Sequence, residues 1–328
     1  MSKAKEIKMM ATRDAYGKTL VELGRIYENI VVLDADLSSS TRTKYFAKEF
    51  PNRFFNFGIA EANMIGAAAG LASCGKIVFA STFAIFASQR AYNQFRQSVA
   101  YPNLNVKLVA SHGGISVGED GVSHHCTEDI ASMRVIPNVT VIVPADAVET
   151  REAVKALVKH QGPAYLRLGR PKIPVIYEDD YSFEGRKLNF KIGEGITLKD
   201  GSDVTIVATG LMVYEALQAH EELRKNGISA RVINIHTIKP IDVDLLVKAA
   251  KETGAIVTAE EHNIIGGLGS AVAEVIVQNH PVPMQFIGVK DVFTESGPWK
   301  ELLEKYGLTS SEIVKAVKRV LKLKKGSS

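Results

Sequence analysis

The stretch that sets the fold class is residues 139–168, VTVIVPADAVETREAVKALVKHQGPAYLRL. Residues 139–143 are a short apolar run that ends at Pro144, which predicts a buried strand. Residues 147–160 carry apolar side chains at helical spacing, and residues 164–168 again form a strand pattern. A strand, a helix and a second strand are the unit from which parallel α/β sheets are built.

The same alternation continues on both sides of this stretch. Before it, the sequence predicts strands at 31–36, 77–80 and 106–110 and helices at 62–74, 85–100 and 127–135. After it come strands at 204–208, 230–235, 256–259 and 284–288, and helices at 212–225, 243–252 and 269–279, with two more helices at the end. We therefore predict an α/β protein with two doubly wound domains and mostly parallel sheets.

A polar segment without a clear period, residues 177–193, separates the two series and is interpreted as a linker. At about 150 residues per domain, 328 residues suit two domains. We place the first domain at residues 1–185 and the second at residues 186–328.

Composition excludes several classes of protein. Two cysteines cannot form a disulfide framework in a chain of this length and favour a reducing compartment. The first ten residues contain no apolar segment of a secretory signal, and no run approaches the roughly 18 apolar residues of a membrane span. The net charge of +4 comes without an extended basic face that would suit nucleic acid. We predict a cytoplasmic protein with no membrane or nucleic-acid partner.

Candidate site residues follow the strands, because open α/β sheets bind ligands at the carboxyl ends of their strands. Residues 34–42, DADLSSSTR, could form an anion-binding loop that ends in Arg42, or a Ser/Thr helix cap beside a solvated arginine. Residues 167–172, RLGRPK, could hold an anion at the same sheet edge through Arg170, or could form a solvated strand end.

Two further candidates lie at the starts of helices. Glu61 opens a helix of otherwise small and apolar residues. An acid there suits the positive end of the helix dipole, but burial would also raise its pKa and fit it for proton transfer. Phe83 and Phe86 follow a strand and are spaced for stacking on a flat heteroaromatic ring or for ordinary core packing.

The densest polar cluster is residues 111–125, SHGGISVGEDGVSHH. Its glycines let the backbone approach a ligand, and His112 and His124 can bond sugar or carbonyl oxygens. The adjacent acids Glu119 and Asp120 add further polar contacts. This loop predicts a small-molecule site, although a solvated loop with incidental histidines is also possible.

Zinc is the alternative ligand for this loop, because His112, His124, His125 and Cys126 are all of zinc-binding type. The contiguous His-His-Cys run does not have the usual spacing of a structural zinc pair. We therefore assign no metal ligands in the chain.

In this order, these segments resemble the transketolase family over nearly the whole chain. The resemblance corresponds to the pyrimidine-binding domain, which has the thiamine diphosphate-binding fold, and to the transketolase C-terminal domain. The most specific motif is GEDG at residues 118–121, followed by Ser123 and His124. GIAE at 58–61 together with STF at 81–83 is shared across thiamine diphosphate enzymes.

The resemblance implies roles for five of the candidate residues. Glu61 would bond the aminopyrimidine nitrogen of thiamine diphosphate and so activate the cofactor. Phe83 and Phe86 would form the aromatic pocket for its pyrimidine ring. His112 and His124 would contact the carbonyl and hydroxyl oxygens of the substrate and assist proton transfers.

The remaining candidates are implied to bind the sugar. Asp120 would recognise the C2 hydroxyl, and Arg42 and Arg170 would clamp the sugar phosphate. The implied reaction is the transfer of a two-carbon ketol unit between ketose and aldose phosphates, as in the pentose phosphate pathway.

The resemblance also implies a partner chain. Thiamine diphosphate enzymes hold Mg²⁺ and the diphosphate through Gly-Asp-Gly and a later Asn, and no Gly-Asp-Gly occurs here. We predict the C-terminal subunit of a split transketolase, active only with an N-terminal subunit that carries this motif, in an α2β2 heterotetramer. The second domain is interpreted as an assembly domain.

Three alternatives remain at this stage. A deoxyxylulose-phosphate synthase and the β-subunit of a 2-oxo acid dehydrogenase are both disfavoured by residues 119–121, EDG, together with His124. A non-catalytic assembly protein is disfavoured by the presence of Glu61 with both aromatic and both histidine candidates.

Overall fold

The computed structural model of the chain describes residues 7–326. Residues 1–6, part of the opening stretch in which no secretory signal is predicted, and residues 327–328 lie outside the described residues. The description below therefore covers the two predicted domains without their extreme termini.

The N-terminal half alternates strands and helices. Its strands are β1 (Met9–Met10), β2 (Ile30–Asp34), β3 (Phe54–Asn56), β4 (Ile77–Phe83), β5 (Val106–Ser111), β6 (Thr140–Ile142), β7 (Ala164–Arg167) and β8 (Ile173–Pro174). Its helices are α1 (Thr12–Ile26), α2 (Ser38–Thr41), α3 (Lys44–Glu49), α4 (Glu61–Ser73), α5 (Ala84–Gln89), α6 (Tyr92–Gln94), α7 (Asp129–Arg134) and α8 (Ala147–Lys159). Short 3₁₀ helices occur at Pro51–Arg53 and Ile115–Asp120, and a π-helical stretch, Phe95–Ala100, continues α6.

The C-terminal half repeats the pattern. Its strands are β9 (Ser182–Phe183), β10 (Arg186–Lys187), β11 (Ile196–Lys199), β12 (Val204–Ala208), β13 (Ala230–Asn234), β14 (Thr237–Lys239), β15 (Ile256–Asn263) and β16 (Met284–Val289). Its helices are α9 (Met212–Lys225), α10 (Val243–Thr253), α11 (Leu268–Asn279), α12 (Trp299–Lys305) and α13 (Ser310–Gly326).

The first sheet has the strand order β14-β6-β7-β5-β4-β2-β3, and its strands are parallel except for β14. The chain passes from β2 outward to β3 and then returns to β4 on the other side of β2. The strand order therefore reverses between β2 and β4. A reversal of this kind opens a crevice at the carboxyl ends of the strands, where α/β sheets bind ligands.

The two faces of this sheet bury different side chains, because successive residues of a strand point to opposite sides. Val31 and Leu33 of β2 belong to one apolar cluster, which includes side chains of α4 and of α10 and α11. Ile30 and Val32 belong to another, which includes side chains of α1 and α8. Since the first cluster contains helices from both halves of the chain, the two halves share a core.

The second sheet has the order β11-β13-β12-β15-β16, in which only β11 runs antiparallel. Its strand order reverses between β12 and β15. Helices α9 and α13 contribute to a third apolar cluster with its strands. The prediction of an α/β protein with mostly parallel sheets is confirmed.

Three elements differ from the sequence-based expectation. Strand β14 lies in the C-terminal half but joins the first sheet, pairing Thr237 with Ile142. The polar segment interpreted as a linker is packed, because Tyr177, Tyr181 and Phe183 are buried in the core of the second sheet. The helix predicted at 85–100 is interrupted after α5. The spacing of apolar residues within each of these segments does not predict these three features.

Among residues 7–326, no helix combines the length and the apolar character needed to cross a membrane.

Candidate active site

Glu61 is the first residue of α4, and its side chain is only 5% exposed. Nη1 of Arg90 lies 3.3 Å from its Oε1. The same guanidinium stands over the ring of Phe86, with Cζ 4.4 Å from the ring centroid. Because one side chain contacts both groups, the Glu61 carboxylate and the Phe86 ring lie at the same place on the molecule.

An aromatic cluster connects the ends of β4 and β5. The rings of Phe83 and Phe86 are nearly parallel, at 16°, with their centroids 5.8 Å apart. His112 stacks on Phe83 at 3.8 Å, and His124 meets both phenylalanine rings edge-on at 5.6–6.2 Å. Two pairs of residues that the sequence placed in different segments therefore form one group.

His112 is buried and has a left-handed backbone, with φ at 61°. Burial lowers its pKa to about 2, and the positive charges of Arg13 and Arg170 add to this effect. The imidazole is therefore neutral at physiological pH, and its Nδ1 lies 2.9 Å from the Ser111 hydroxyl. A neutral ring can donate one hydrogen bond and accept another.

The loop after β2 is organised around buried Asp34. Its carboxylate accepts hydrogen bonds from the backbone N–H of Leu37 and from the hydroxyls of Thr41 and Thr43. The hydroxyls of Thr41 and Thr43 therefore donate within the loop and not to a ligand. Arg42 is the residue of this loop that we predicted to bind an anion. Burial raises the pKa of Asp34, whereas the hydrogen bonds to Thr41 and Thr43 lower it.

Arg42 also has a left-handed backbone, with φ at 73°. Its Nε donates to Asp14 at 2.5 Å and its Nη1 to the Ser39 carbonyl at 2.6 Å. Left-handed φ values in residues other than glycine are uncommon and cluster at functional sites. The loop thus holds the Arg42 guanidinium in one defined position.

Arg170 approaches the site from the end of β7. Its Nη1 donates to the Val117 carbonyl and, at 2.9 Å, to the Glu119 carboxylate. Its Nη2 lies 4.0 Å from Oδ1 of Asp120. The structure therefore brings Arg170 to the acidic end of the loop predicted to bind sugar.

Arg13 is a third guanidinium at this place, and the sequence analysis did not identify it. Its Nη1 donates to the Ser40 carbonyl at 2.9 Å, and its Nε is buried without a hydrogen-bond partner. Burial lowers the pKa of Arg13, and so do the positive charges of Arg42 and Arg170. Arg13 lies in the first turn of α1, and the sequence predicts no strand ahead of it that would mark it as a residue at the edge of a sheet.

Glycines shape the loop that carries Asp120. Gly118 and Gly121 have φ values of 80° and 75°, a region that glycine adopts without the steric cost of a Cβ. Asp120 lies between these two glycines, at the end of the 3₁₀ helix Ile115–Asp120, and is exposed. Its carboxylate is therefore accessible to solvent beside the Arg170 guanidinium.

Comparison with known proteins identifies the family. The model "Transketolase, pyrimidine binding domain" matches residues 8–175, and "Transketolase, C-terminal domain" matches residues 193–313. The chain belongs to the transketolase family. The predicted resemblance to these two transketolase domains is confirmed.

Two relatives and one solved structure illustrate the likeness to members of this family. The "Putative transketolase C-terminal section" of Methanocaldococcus jannaschii is 53% identical over 94% of this chain and 96% of its own length. The "6-deoxy-6-sulfo-D-fructose transketolase subunit SqwH" of Clostridium sp. is 46% identical over 95% of each chain. A structure titled "Split gene transketolase, inactive beta4 tetramer" has a TM-score of 0.88 and 53% identity, and covers 97% of this chain and 100% of its own.

Membership of the transketolase family implies dependence on thiamine diphosphate. The half-buried Phe86, stacked beside the buried Phe83, offers flat apolar surface, and the nearly buried Glu61 carboxylate offers one proton-sharing group. These residues fit the aminopyrimidine half of the cofactor.

Side chains of the types that bind metal ions are not grouped into a metal site in the described part of the chain. Within residues 7–326, no group of three or more His, Cys, Asp or Glu side chains is arranged to hold a metal ion. The zinc alternative is not supported, because His125 bonds Thr294 and Gly118 and Cys126 contacts Ser88.

Proposed function

We propose that this chain is the C-terminal subunit of a split transketolase. Together with an N-terminal partner subunit, it would transfer a two-carbon ketol unit from a ketose phosphate to an aldose phosphate. The observation that supports this most directly is the convergence of two sets of side chains at one sheet edge. The ring of His112 stacks on Phe83, one of the side chains proposed to hold the cofactor. The same ring lies close enough to Arg13, Arg42 and Arg170 for their positive charges to lower its pKa.

Glu61, Phe83 and Phe86 would hold the pyrimidine half of thiamine diphosphate. When bound, this cofactor supplies a carbon nucleophile that can accept and release the ketol unit. Glu61 would share a proton with the aminopyrimidine nitrogen from its nearly solvent-free position. The two phenylalanines would fix the plane of the ring by stacking.

His112 and His124 would act on the oxygens of the substrate. Because the imidazole of His112 is neutral, it can exchange a proton with a substrate hydroxyl or carbonyl oxygen without first losing one. His124 is half-buried and faces the same phenylalanine rings. Asp120 would accept a hydrogen bond from the C2 hydroxyl of the sugar.

Arg42 and Arg170, joined by Arg13, would bind the anionic end of the sugar. Guanidinium groups match the oxygens of a phosphate with paired hydrogen bonds. The Clostridium relative is named for a sugar that carries a sulfo group. The anionic group of the sugar can therefore differ between similar proteins. We propose a phosphate for this chain.

The partner subunit would carry Mg²⁺ and the diphosphate through its Gly-Asp-Gly and Asn residues, and the assembly would be α2β2. The exposed apolar side chains Phe55 and Ile59 lie just before Glu61, and Val122 lies in the loop before His124. We assign these side chains to contact with the partner, because exposed apolar groups beside a site mark interaction surfaces. Cytoplasmic location stays a prediction.

The substrate class is tested with the reconstituted pair, thiamine diphosphate and Mg²⁺. A ketose phosphate donor with an aldose phosphate acceptor is expected to give a ketose two carbons longer than the acceptor, detected by mass spectrometry. Pyruvate is expected to yield no CO₂. Release of CO₂ from pyruvate without ketol transfer would replace this proposal with the synthase or dehydrogenase alternative.

Arg13 tests the anion site separately. Arg13→Gln is expected to raise KM for the phosphorylated ketose by about tenfold or more, since a hydrogen bond to a charged group is lost. KM for the unphosphorylated sugar should hardly change. Arg25→Gln is the matched control, because Arg25 lies on the same helix in an exposed ion pair with Glu49. An equal rise in KM for both sugars would remove Arg13 from the phosphate site.

A further inference from the structure

The loop that carries the proposed sugar ligands receives contacts from the second domain. We call residues 114–125 the substrate loop. Glu261, near the end of β15, accepts a hydrogen bond from the backbone N–H of Ser116 at 2.5 Å. Gly114 lies against the same carboxylate, where the Cβ of any other residue would overlap the Glu261 side chain. Glu261 therefore packs against the start of the substrate loop and accepts a hydrogen bond from it.

Buried Arg167 holds this junction in place. Its Nε bonds Asp129 at 2.7 Å, and its Nη2 donates to the carbonyls of Glu261, at 2.9 Å, and Cys126, at 3.2 Å. Cys126 directly follows the substrate loop. One guanidinium thus ties the residue after the loop to the strand of the second domain that contacts its beginning.

A second set of contacts reaches the middle and the end of the loop. Ser296 donates its hydroxyl hydrogen to the carbonyl of Glu119 at 2.6 Å. Nε2 of His125 lies 2.9 Å from the Gly118 carbonyl and must donate to it, because a carbonyl only accepts. Nδ1 of a neutral ring then accepts from the Thr294 hydroxyl at 2.6 Å. Burial lowers the pKa of His125, which favours this neutral form.

These contacts control the backbone on either side of the proposed sugar ligands. The bond from Ser296 holds the carbonyl that directly precedes Asp120. Glu119, the residue whose carbonyl is held, pairs with Arg170 through its side chain. A loop fixed in its binding conformation before the ligand arrives does not have to be ordered on binding, and this preserves affinity.

We propose that the second domain sets the affinity for the sugar by holding the substrate loop through Glu261, Thr294 and Ser296, and that it is therefore more than an assembly domain. The affinity part of this inference rests on the proposed function. The holding of the loop does not, since it concerns contacts within this chain.

The test uses Ser296→Ala and Thr294→Val, with Ser202→Ala as the control. Ser296 is exposed, so its loss should not prevent folding, and Ser202 is an exposed serine just before β12, at the opposite end of the second sheet. Hydrogen exchange of peptides spanning 112–126 is measured in the full chain without a partner. Exchange is expected to be about three- to tenfold faster in both variants and unchanged in the control, since each loses one hydrogen bond.

Steady-state kinetics of the reconstituted enzyme give the second readout. KM for the ketose phosphate should rise by about three- to tenfold, while kcat stays within about twofold because Glu61 is untouched. Ser296→Thr, which keeps the hydroxyl, should restore both values. Unchanged loop exchange overturns the proposal, and so does faster exchange with an unchanged KM. If the parent pair shows no ketol transfer, the proposed function fails, while the exchange data still decide whether the second domain holds the loop.

Discussion

Glu61→Ala is expected to lower kcat of the reconstituted enzyme by about 10²- to 10⁴-fold, the usual contribution of a positioned acid–base group. The carboxylate is nearly buried, and Arg90 is its ion-pair partner. Alanine cannot share a proton with the pyrimidine. Glu61→Gln keeps the shape and the hydrogen-bonding capacity of the side chain but cannot move the proton, so a similar loss is expected from it.

Assembly should survive this substitution. The partner group left behind, Arg90, is 53% exposed on its side chain and can be solvated. Size-exclusion chromatography of the mixed subunits should therefore give the parent elution volume. Glu22→Gln, an exposed position on α1, serves as the control and should keep parent kcat. Near-parent turnover in Glu61→Ala would reject its role in activating the cofactor.

The isolated chain is expected to show no ketol transfer with thiamine diphosphate and Mg²⁺, and activity should appear when the partner subunit is added. The reason is chemical. The proposed site offers aromatic rings, a carboxylate and arginines, but residues 7–326 contain no group of three or more His, Cys, Asp or Glu side chains arranged to hold a metal ion. Mg²⁺ needs oxygen ligands in near-octahedral geometry.

The measurement is a titration of the partner into a fixed amount of this chain, followed by product formation. Activity should rise and then saturate at a defined molar ratio, with one to one expected for α2β2. The similar structure described above is named "Split gene transketolase, inactive beta4 tetramer". The name describes that protein, and it is the reason to assay this chain both alone and with its partner. Turnover by the chain alone, at a level that the partner does not change, would disprove the split arrangement proposed here.

Local patterns in the sequence were sufficient for the fold class. The strand and helix periods at 139–168 became β6, α8 and β7 with small shifts at their ends. Helix α9 and strand β12 occupy the predicted ranges, 212–225 and 204–208. Periodicity succeeds here because burial of one helix face or of a whole strand leaves a repeating signal within the segment itself.

The same reasoning located most of the candidate site. Parallel strands end at one edge of a sheet, so residues after different strands can be expected to meet. Phe83 is the last residue of β4 and His112 follows β5, and their rings stack on each other, in agreement with this rule. Arg13 lies in the first turn of α1, and no strand was predicted ahead of it to which the rule could be applied.

The sequence by itself determined the alternation of strands and helices, the edge of the sheet where polar residues gather, and the family motifs. Only the tertiary structure decided that Arg13 joins Arg42 and Arg170, and that β14 completes the first sheet. It alone brought Glu261 to Ser116, across 145 residues of chain. The physical reason is that such contacts depend on how finished elements pack, whereas sequence periodicity records only that a segment is buried and not which distant side chain it meets.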